Sequence, residues 1–466
     1  MYLSNPYIRI NKLEIRNYRG IDELRIEFPF PVMDYDSDIM VIGGRNGIGK
    51  TSVLECSAIL ALLTDEDEGE YFIDSHKITP EVDLSGLIIR SGADDAVISG
   101  EIEYKIEEKL PTESSEKFPE ELKNNQDKKN RIPGTIIKED IKITIRRNNT
   151  IRIEKTGNRD DNKDLSSKGK HHSRDLSGPE YTNSAYYNAK NENPTQDKTD
   201  KTGRISETNT TGYITKKFSA IRNISGNNEI NKNFYTLINA ICGSDPNPLI
   251  ENGCLFFHNL RRIAPGNPQI KDTINSTTYK KDNEVYSDVS AQNSGKKELN
   301  SHNAEKSSFK SEILRTIMKQ TDIFEYDSKS TAENNKNLLK LLNVLLNTYA
   351  GAEFSKLRPT EENTMEIRIA PLNGDKSYSV DCLGSGEKDI VSMLFMLYSR
   401  TSEKPAIVLI DEPEMHLNPG WHRSFMNRII ELAPDNQYII TTNSEYIMDS
   451  VEKKNRIILI SGKDEQ

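Results

Sequence analysis

The run Gly44-Arg45-Asn46-Gly47-Ile48-Gly49-Lys50-Thr51 follows four apolar residues, Ile39 to Ile42, and Ser52 then leads into VLECSAILALL. G-x-x-x-x-G-K-[ST] between a buried strand and a helix is the pattern of a phosphate-binding loop, or P-loop. Its glycines let the backbone curl until N–H groups point inward at phosphate oxygens. Lys50 adds a compact positive charge for β- and γ-phosphates, Thr51 a hydroxyl for Mg²⁺, and the helix turns its positive N-terminal end on the anion. A second reactive pair stands far downstream, where Ile407 to Ile410 run directly into Asp411-Glu412. A buried strand ending in two carboxylates offers a metal ligand, Asp411, and beside it Glu412, able to polarise a water for attack on a γ-phosphate.

The elements that must hold these groups are legible around them. IRINKLEIRNYRG and IDELRIEF alternate apolar and polar residues, which predicts a half-buried hairpin ahead of the strand DIMVIGG. Val53, Leu54, Ala58, Ile59 and Leu62 suit an amphipathic helix after the P-loop. LIIRSGADDAVISGEIEY, from Leu87 to Tyr104, is compatible with a plain hairpin around Ser91-Gly92, or with the strand, turn and strand implied by the resemblance given below. Leu338, Leu339, Leu341, Leu342, Leu345 and Leu346 give a later helix a broad apolar face, expected to pack in the core, with a partner helix as the alternative. TMEIRIAPLNGDKSYSV predicts a hairpin turning at Asn373-Gly374 and leading into LGSGEKDIVSML.

Together these residues resemble the ABC-type AAA ATPases, within them the RecF, SMC and OLD-like branch, over roughly residues 7–103 and 365–461. LGSGE, from Leu383, is similar to the family's signature, usually LSGGE or LSSGE, and places Ser385, Gly386 and Glu387 at its matching positions. The resemblance implies that these residues meet the γ-phosphate of a nucleotide held by another copy, so P-loop and signature come together across a head-to-head homodimer closing on two ATP and Mg²⁺. It assigns residues 44–52 and the signature to ATP, Thr51 and Asp411 to Mg²⁺, and Glu412 with Asn443 to catalysis. Two positions depart from the pattern. Asn418, in Leu417-Asn418-Pro419, stands where the D-loop usually has Asp, and Asn443 stands where a switch histidine is usual. An amide can hydrogen-bond a phosphate but cannot exchange protons as imidazole does, so slow hydrolysis is expected. The resemblance further implies DNA, or a nuclease supplied in trans, as partner in repair or anti-phage defence. No Toprim-like acidic set follows Asn443, so a nuclease is expected on another polypeptide.

Composition bounds the rest. Lys plus Arg number 62 against 72 Asp plus Glu, which excludes a uniformly basic nucleic-acid coat. Cys56, Cys242, Cys254 and Cys382 are scattered without C-x-x-C, which argues against a disulfide framework or zinc knuckle and for a reducing cytoplasm. No stretch approaches the roughly 18 consecutive apolar residues of a membrane span, and sustained heptads are missing. The expected architecture is an α/β P-loop NTPase, an ABC-like head with a β-rich N-terminal lobe and a long polar insertion. The expected divisions are an N-terminal lobe over 1–104, a polar low-complexity insertion over 105–250, a strand with polar linker over 251–310, and a C-terminal lobe over 311–466. Residues 105–240 carry 26 Lys and Arg against 20 Asp and Glu, and CLFFHNLRRI adds an arginine pair at Arg261-Arg262. That surplus motivates the competing reading, a nucleic-acid clamp with slow ATP turnover and no defence role, whereas a solvated loop would also account for it. Lys50→Ala is expected to weaken ATP binding at least about tenfold, since charge-assisted bonds to the phosphates are lost. Calorimetric titration checks this, and an unchanged affinity would remove the P-loop assignment.

Overall fold

The computed structural model describes residues 8–31, 36–64, 66–73, 84–105, 136–158, 232–241, 249–251, 253–259, 261, 263, 265–269, 308–320, 329–361, 363–374, 376–402 and 404–460. From the N-terminus come β1 (Ile8–Tyr18), β2 (Ile21–Glu27), β3 (Ile39–Gly44), α1 (Lys50–Leu63), β4 (Gly69–Phe72), α2 (Leu84–Ile88), β5 (Asp95–Lys105), β6 (Ile136–Arg146), β7 (Thr150–Asn158), α3 (Lys232–Ile241), β8 (Leu249–Glu251) and β9 (Cys254–Phe257). There follow α4 (Ser308–Gln320), α5 (Lys329–Ala350), β10 (Ala352–Pro359), β11 (Met365–Pro371), β12 (Tyr378–Ser379), α6 (Ser385–Thr401), β13 (Ile407–Asp411), α7 (Pro419–Leu432), β14 (Gln437–Thr441), α8 (Glu445–Met448) and β15 (Arg456–Leu459). No helix among the described residues is long and apolar enough to cross a membrane.

A six-stranded sheet in the order β15-β3-β14-β13-β9-β8 forms the centre, parallel throughout except for the edge strand β8. A parallel sheet is covered on both faces, which is why its strands are near-continuous apolar runs such as IMVI and IVLI. Alternate residues serve different layers. Met40, Ile42, Phe256, Leu409 and Ile439 face a core shared with α1, whereas Val41, Phe257, Val408, Ile410 and Tyr438 face one shared with α4 to α7. The first core is closed by an antiparallel sheet, order β2-β1-β5-β6-β7-β4. Gln437 ties the two sheets: its amide nitrogen donates to Ile10 O at 2.8 Å and its oxygen accepts from Ile10 N at 2.8 Å.

Four sequence expectations need correction. First, α1 is buried on every side, every residue but Thr51, rather than amphipathic, because a sheet covers each of its faces. Second, the insertion expected over 105–250 contains folded structure. β6 and β7 pair in register and bury Ile141, Ile143, Ile145, Ile151 and Ile153, while α3 buries Phe234, Leu237 and Ile238. These short apolar alternations fill the core over α1, and the polar composition around them masked the signal. The most polar stretches, 159–231 and 270–307, lie outside the described residues. Third, the limb expected as a strand before β5 is only partly one: Leu87 and Ile88 end the helix α2, and Ile89 then bridges Tyr18, with Arg19 N donating to Ile88 O at 2.8 Å and Arg90 N to Asn17 O at 2.9 Å, because the chain has room for one bridge beside the end of β1 before it turns into β5. Fourth, β3 of the expected N-terminal lobe lies between β14 and β15 of the expected C-terminal lobe, so the lobes share one sheet.

Within α1, Glu55 is buried, accepting from Tyr18 Oη at 3.0 Å and from Arg19 Nη1 at 2.7 Å. Burial outweighs both partners and pushes its carboxyl up to about 7. Because this lies above the ordinary value of 4.5, a bound proton stabilises the fold, fully below 4.5, and that contribution is lost as pH rises through about 7. Urea midpoints should therefore show the wild type losing stability relative to Glu55→Gln as pH rises through this window, while parallel profiles would mean an ordinary carboxylate.

Candidate nucleotide site

The P-loop sits at the C-terminal end of β3, the edge of a parallel sheet where ligands gather in such folds. Gly47 and Gly49 hold φ of 79° and 106°, open to glycine and costly for other residues. A side chain at Gly49 would also sit 2.9 Å from Ile21. α1 starts without a side-chain cap and without an acidic residue in its first turn, so its N-terminal N–H groups and dipole suit an anion. Arg45, Asn46 and Gly47 are exposed on the loop, Ile48 is half-buried against the core, and Ser52 is buried beneath.

Lys50 reaches across the sheet. Its ammonium donates to Gly44 O at 3.0 Å, Arg45 O at 3.2 Å and Asn443 Oδ1 at 2.8 Å, and lies 3.8 Å from Glu412 Oε1. Asn443 completes the link by donating from Nδ2 to Glu412 Oε1 at 2.7 Å. Its two amide ends thus join the lysine and the carboxylate, which imidazole in one tautomer could also do. Beside them Thr51 Oγ1 donates to Asp411 Oδ2 at 2.9 Å, and Thr441 Oγ1 donates to Asp411 Oδ1 at 2.5 Å. Asp411 is fully buried, and that burial raises its carboxyl above the usual carboxylate range even though both hydroxyls favour the anion. Hydroxyl and carboxylate together are hard oxygen donors, the chemistry that suits Mg²⁺. Glu412 adopts φ 44° and ψ 63°, a left-handed backbone rare outside glycine and enriched at functional sites.

The signature residues open α6. Ser385 is exposed and Gly386 half-buried, and a side chain at Gly386 would come 2.3 Å from His416 O, so glycine is required where the signature meets the loop after β13. Glu387 turns back to accept from Gly384 N at 2.8 Å, so its carboxylate caps its own helix. Asn418 caps α7, accepting from Gly420 N at 2.9 Å ahead of Pro419, which gives the expected D-loop departure a structural use.

Sequence reading missed three groups. Glu414 accepts from Asn443 N at 2.5 Å and Thr442 Oγ1 at 2.9 Å, fixing the loop that carries Asn443. Thr441, opposite Asp411 in the parallel register, orients that carboxylate. Arg261, read as half of a basic pair for nucleic acid, is 4% exposed and donates from Nη1 to Asp411 O at 2.8 Å and from Nε to Asp389 Oδ1 at 3.1 Å. An arginine four residues past the all-apolar strand β9 was the available signal, since burial there demands partners.

Residues 9–448 match the model of the AAA ATPase domain family. The chain is 26% identical over 175 residues to "Retron Ec83 probable ATPase" of Escherichia coli, spanning 32% of each protein, so it covers about a third of that relative's length. Among solved structures it is similar to the SMC head bound to the C-winged helix domain of ScpA, with 12% identity, a TM-score of 0.41, and 95% and 92% of the two chains covered. It is similar also to the recombination mediator protein RecF with ATP, with 10% identity, a TM-score of 0.37, and 94% of each chain covered. The family match takes in the P-loop, the carboxylate strand and Asn443 alike, and the chain therefore belongs to the AAA ATPase domain family.

Proposed function

We propose that this ATPase domain holds ATP on residues 44–52 and hydrolyses it slowly through Glu412, using a head-to-head dimer in which Ser385 and Gly386 of one copy reach the γ-phosphate bound by the other. The observation that carries this reading is the convergence of Lys50, Asn443 and Glu412 beside the Thr51 and Asp411 pair. Thr51 and Asp411 would hold Mg²⁺, which neutralises charge on the β- and γ-phosphates when bound. Lys50, released from the loop carbonyls by the nucleotide, donates to the phosphates. Glu412 accepts a proton from the attacking water, and Asn443 orients that carboxylate through Nδ2. Glu387, committed to capping α6, contributes by fixing the signature backbone rather than by touching nucleotide.

Closure and opening of such a dimer would be read by a partner, DNA or a nuclease supplied in trans, in repair or anti-phage defence. The naming of the Escherichia coli relative as a retron ATPase supports the defence setting. The clamp reading loses one of its motives, because Arg261 is buried in the ATPase core. The outer face of the antiparallel sheet is likewise laced with opposed charges, as in Arg16 with Glu23 at 3.3 Å, Arg25 with Glu14 at 2.9 Å and Lys142 with Glu154 at 3.3 Å.

Glu412→Gln is expected to keep ATP affinity while lowering hydrolysis at least about a hundredfold, and to accumulate a species of twice the mass with ATP. Light scattering after gel filtration and steady-state phosphate release check the two parts, and wild-type turnover would place the base elsewhere. Asn443→His is expected to raise basal turnover up to about tenfold, because imidazole can also accommodate charge that develops in the transition state. A wild type that is already fast without partners, and slowed by the substitution, would make Asn443 part of a complete site.

A further inference from the structure

Arg261 makes more bonds than the two already described. Its guanidinium collects carbonyls from three successive residues, Asp411 O at 2.8 Å, Glu412 O at 3.4 Å and Pro413 O at 3.3 Å, and also His258 O at 3.2 Å. Three consecutive carbonyls can meet one cation only if the chain curls, and the left-handed backbone of Glu412 supplies that curl. Such a conformation persists where surrounding bonds hold it. Opposite the carbonyls, Arg261 Nε donates to Asp389 Oδ1 at 3.1 Å, and Nη2 lies 3.1 Å from Asp389 Oδ2. Asp389 is on α6, four residues after Ser385 and thus one helical turn along the same face. Both partners are buried, with side chains 4% and 8% exposed, so neither charge can part from the other without a large desolvation cost.

We propose that Arg261 is a positioning residue linking the placement of Glu412 to the signature helix, so that a chain's own hydrolytic carboxylate responds to what its signature engages. A rigid fork with five donors can hold the carbonyl cluster and Asp389 at once, which a lysine cannot. Displacement of α6 is passed through Asp389 and the guanidinium to the backbone of residues 411–413. The two half-sites that one chain contributes, its carboxylate for its own nucleotide and its signature for another copy's, are thereby joined. This inference rests on the head-to-head reading above.

The test uses the full chain with Asp389→Asn, which leaves the carbonyl bonds of Arg261 in place, and Arg261→Lys, which keeps the charge and loses the fork. Without nucleotide, Asp389→Asn is expected to speed amide hydrogen exchange in 411–417, and Arg261→Lys to speed it in 385–389, each change felt at the far end of the link. With ATP, both variants should hold calorimetric affinity within about twofold while kcat falls about tenfold or more, the signature of an interaction made in the transition state. Wild-type exchange and kcat in Asp389→Asn would overturn the link, as would parallel losses of affinity and kcat in both variants, which would mark a merely structural ion pair. Glu412→Gln in parallel separates the two ideas. If it forms the ATP-dependent dimer while Asp389→Asn behaves as wild type, the link alone fails. If no dimer forms, the head-to-head reading fails and the link with it.

Discussion

Lys50 and Asn443 are 393 positions apart and share a hydrogen bond of 2.8 Å because β3 and β14 are parallel neighbours. Every other feature of the site hangs on that pairing. Parallel strands end on the same edge of a sheet, so the loops after β3, β13 and β14 open side by side, carrying the lysine, the two carboxylates and the amide respectively. A one-residue slip in the β13 register would move Asp411 away from Thr441 and exchange the residues facing the two cores. The two cores resist such a slip, since β13 commits Ile407 and Leu409 to one and Val408 and Ile410 to the other.

A second constraint is the number of charges withdrawn from water around this edge. Lys50, Asp411, Arg261 and Asp389 are all buried, each with specified partners, because an unpaired charge in such a place costs several kcal/mol or more, on the order of what a whole domain has to spare. Lys310 extends the pattern. It donates to Gly266 O at 2.7 Å and pairs with Asp381 just ahead of the signature, while burial lowers its ammonium below the ordinary value. The signature helix is therefore held by buried cations before its first residue and in its second turn. Such pairing stabilises little in net terms, yet it fixes geometry, since breaking one partner leaves the other unsatisfied.

Local chemistry made the parts of the candidate site readable in the residues themselves. Phosphate binding requires glycines and a lysine at fixed spacing within one short segment, and a carboxylate on a buried strand tip requires an apolar run directly before it, so both are written contiguously. Asn418 illustrates the limit of that reading. It departs from the expected aspartate, and its use became clear only as a helix cap. Glu387 illustrates it again: the motif places it beside a nucleotide, and the helix takes its carboxylate for its own first turn.

What the sequence determined by itself was the phosphate-loop pattern, the carboxylate pair at a strand tip and the α/β class, since each depends on neighbours in the chain, whereas Asn443 stood out only against the family it resembles. Tertiary structure alone decided that α1 is buried on all sides, that the hairpin of β6 and β7 belongs to the core, and that Arg261 is buried against the backbone of Asp411 and the carboxylate of Asp389. Those outcomes depend on which segments meet in space. A buried arginine and a solvent-facing one are the same letter until the strand beside it is placed, and Arg261 acquires its partners at 389 and 411 only through the fold.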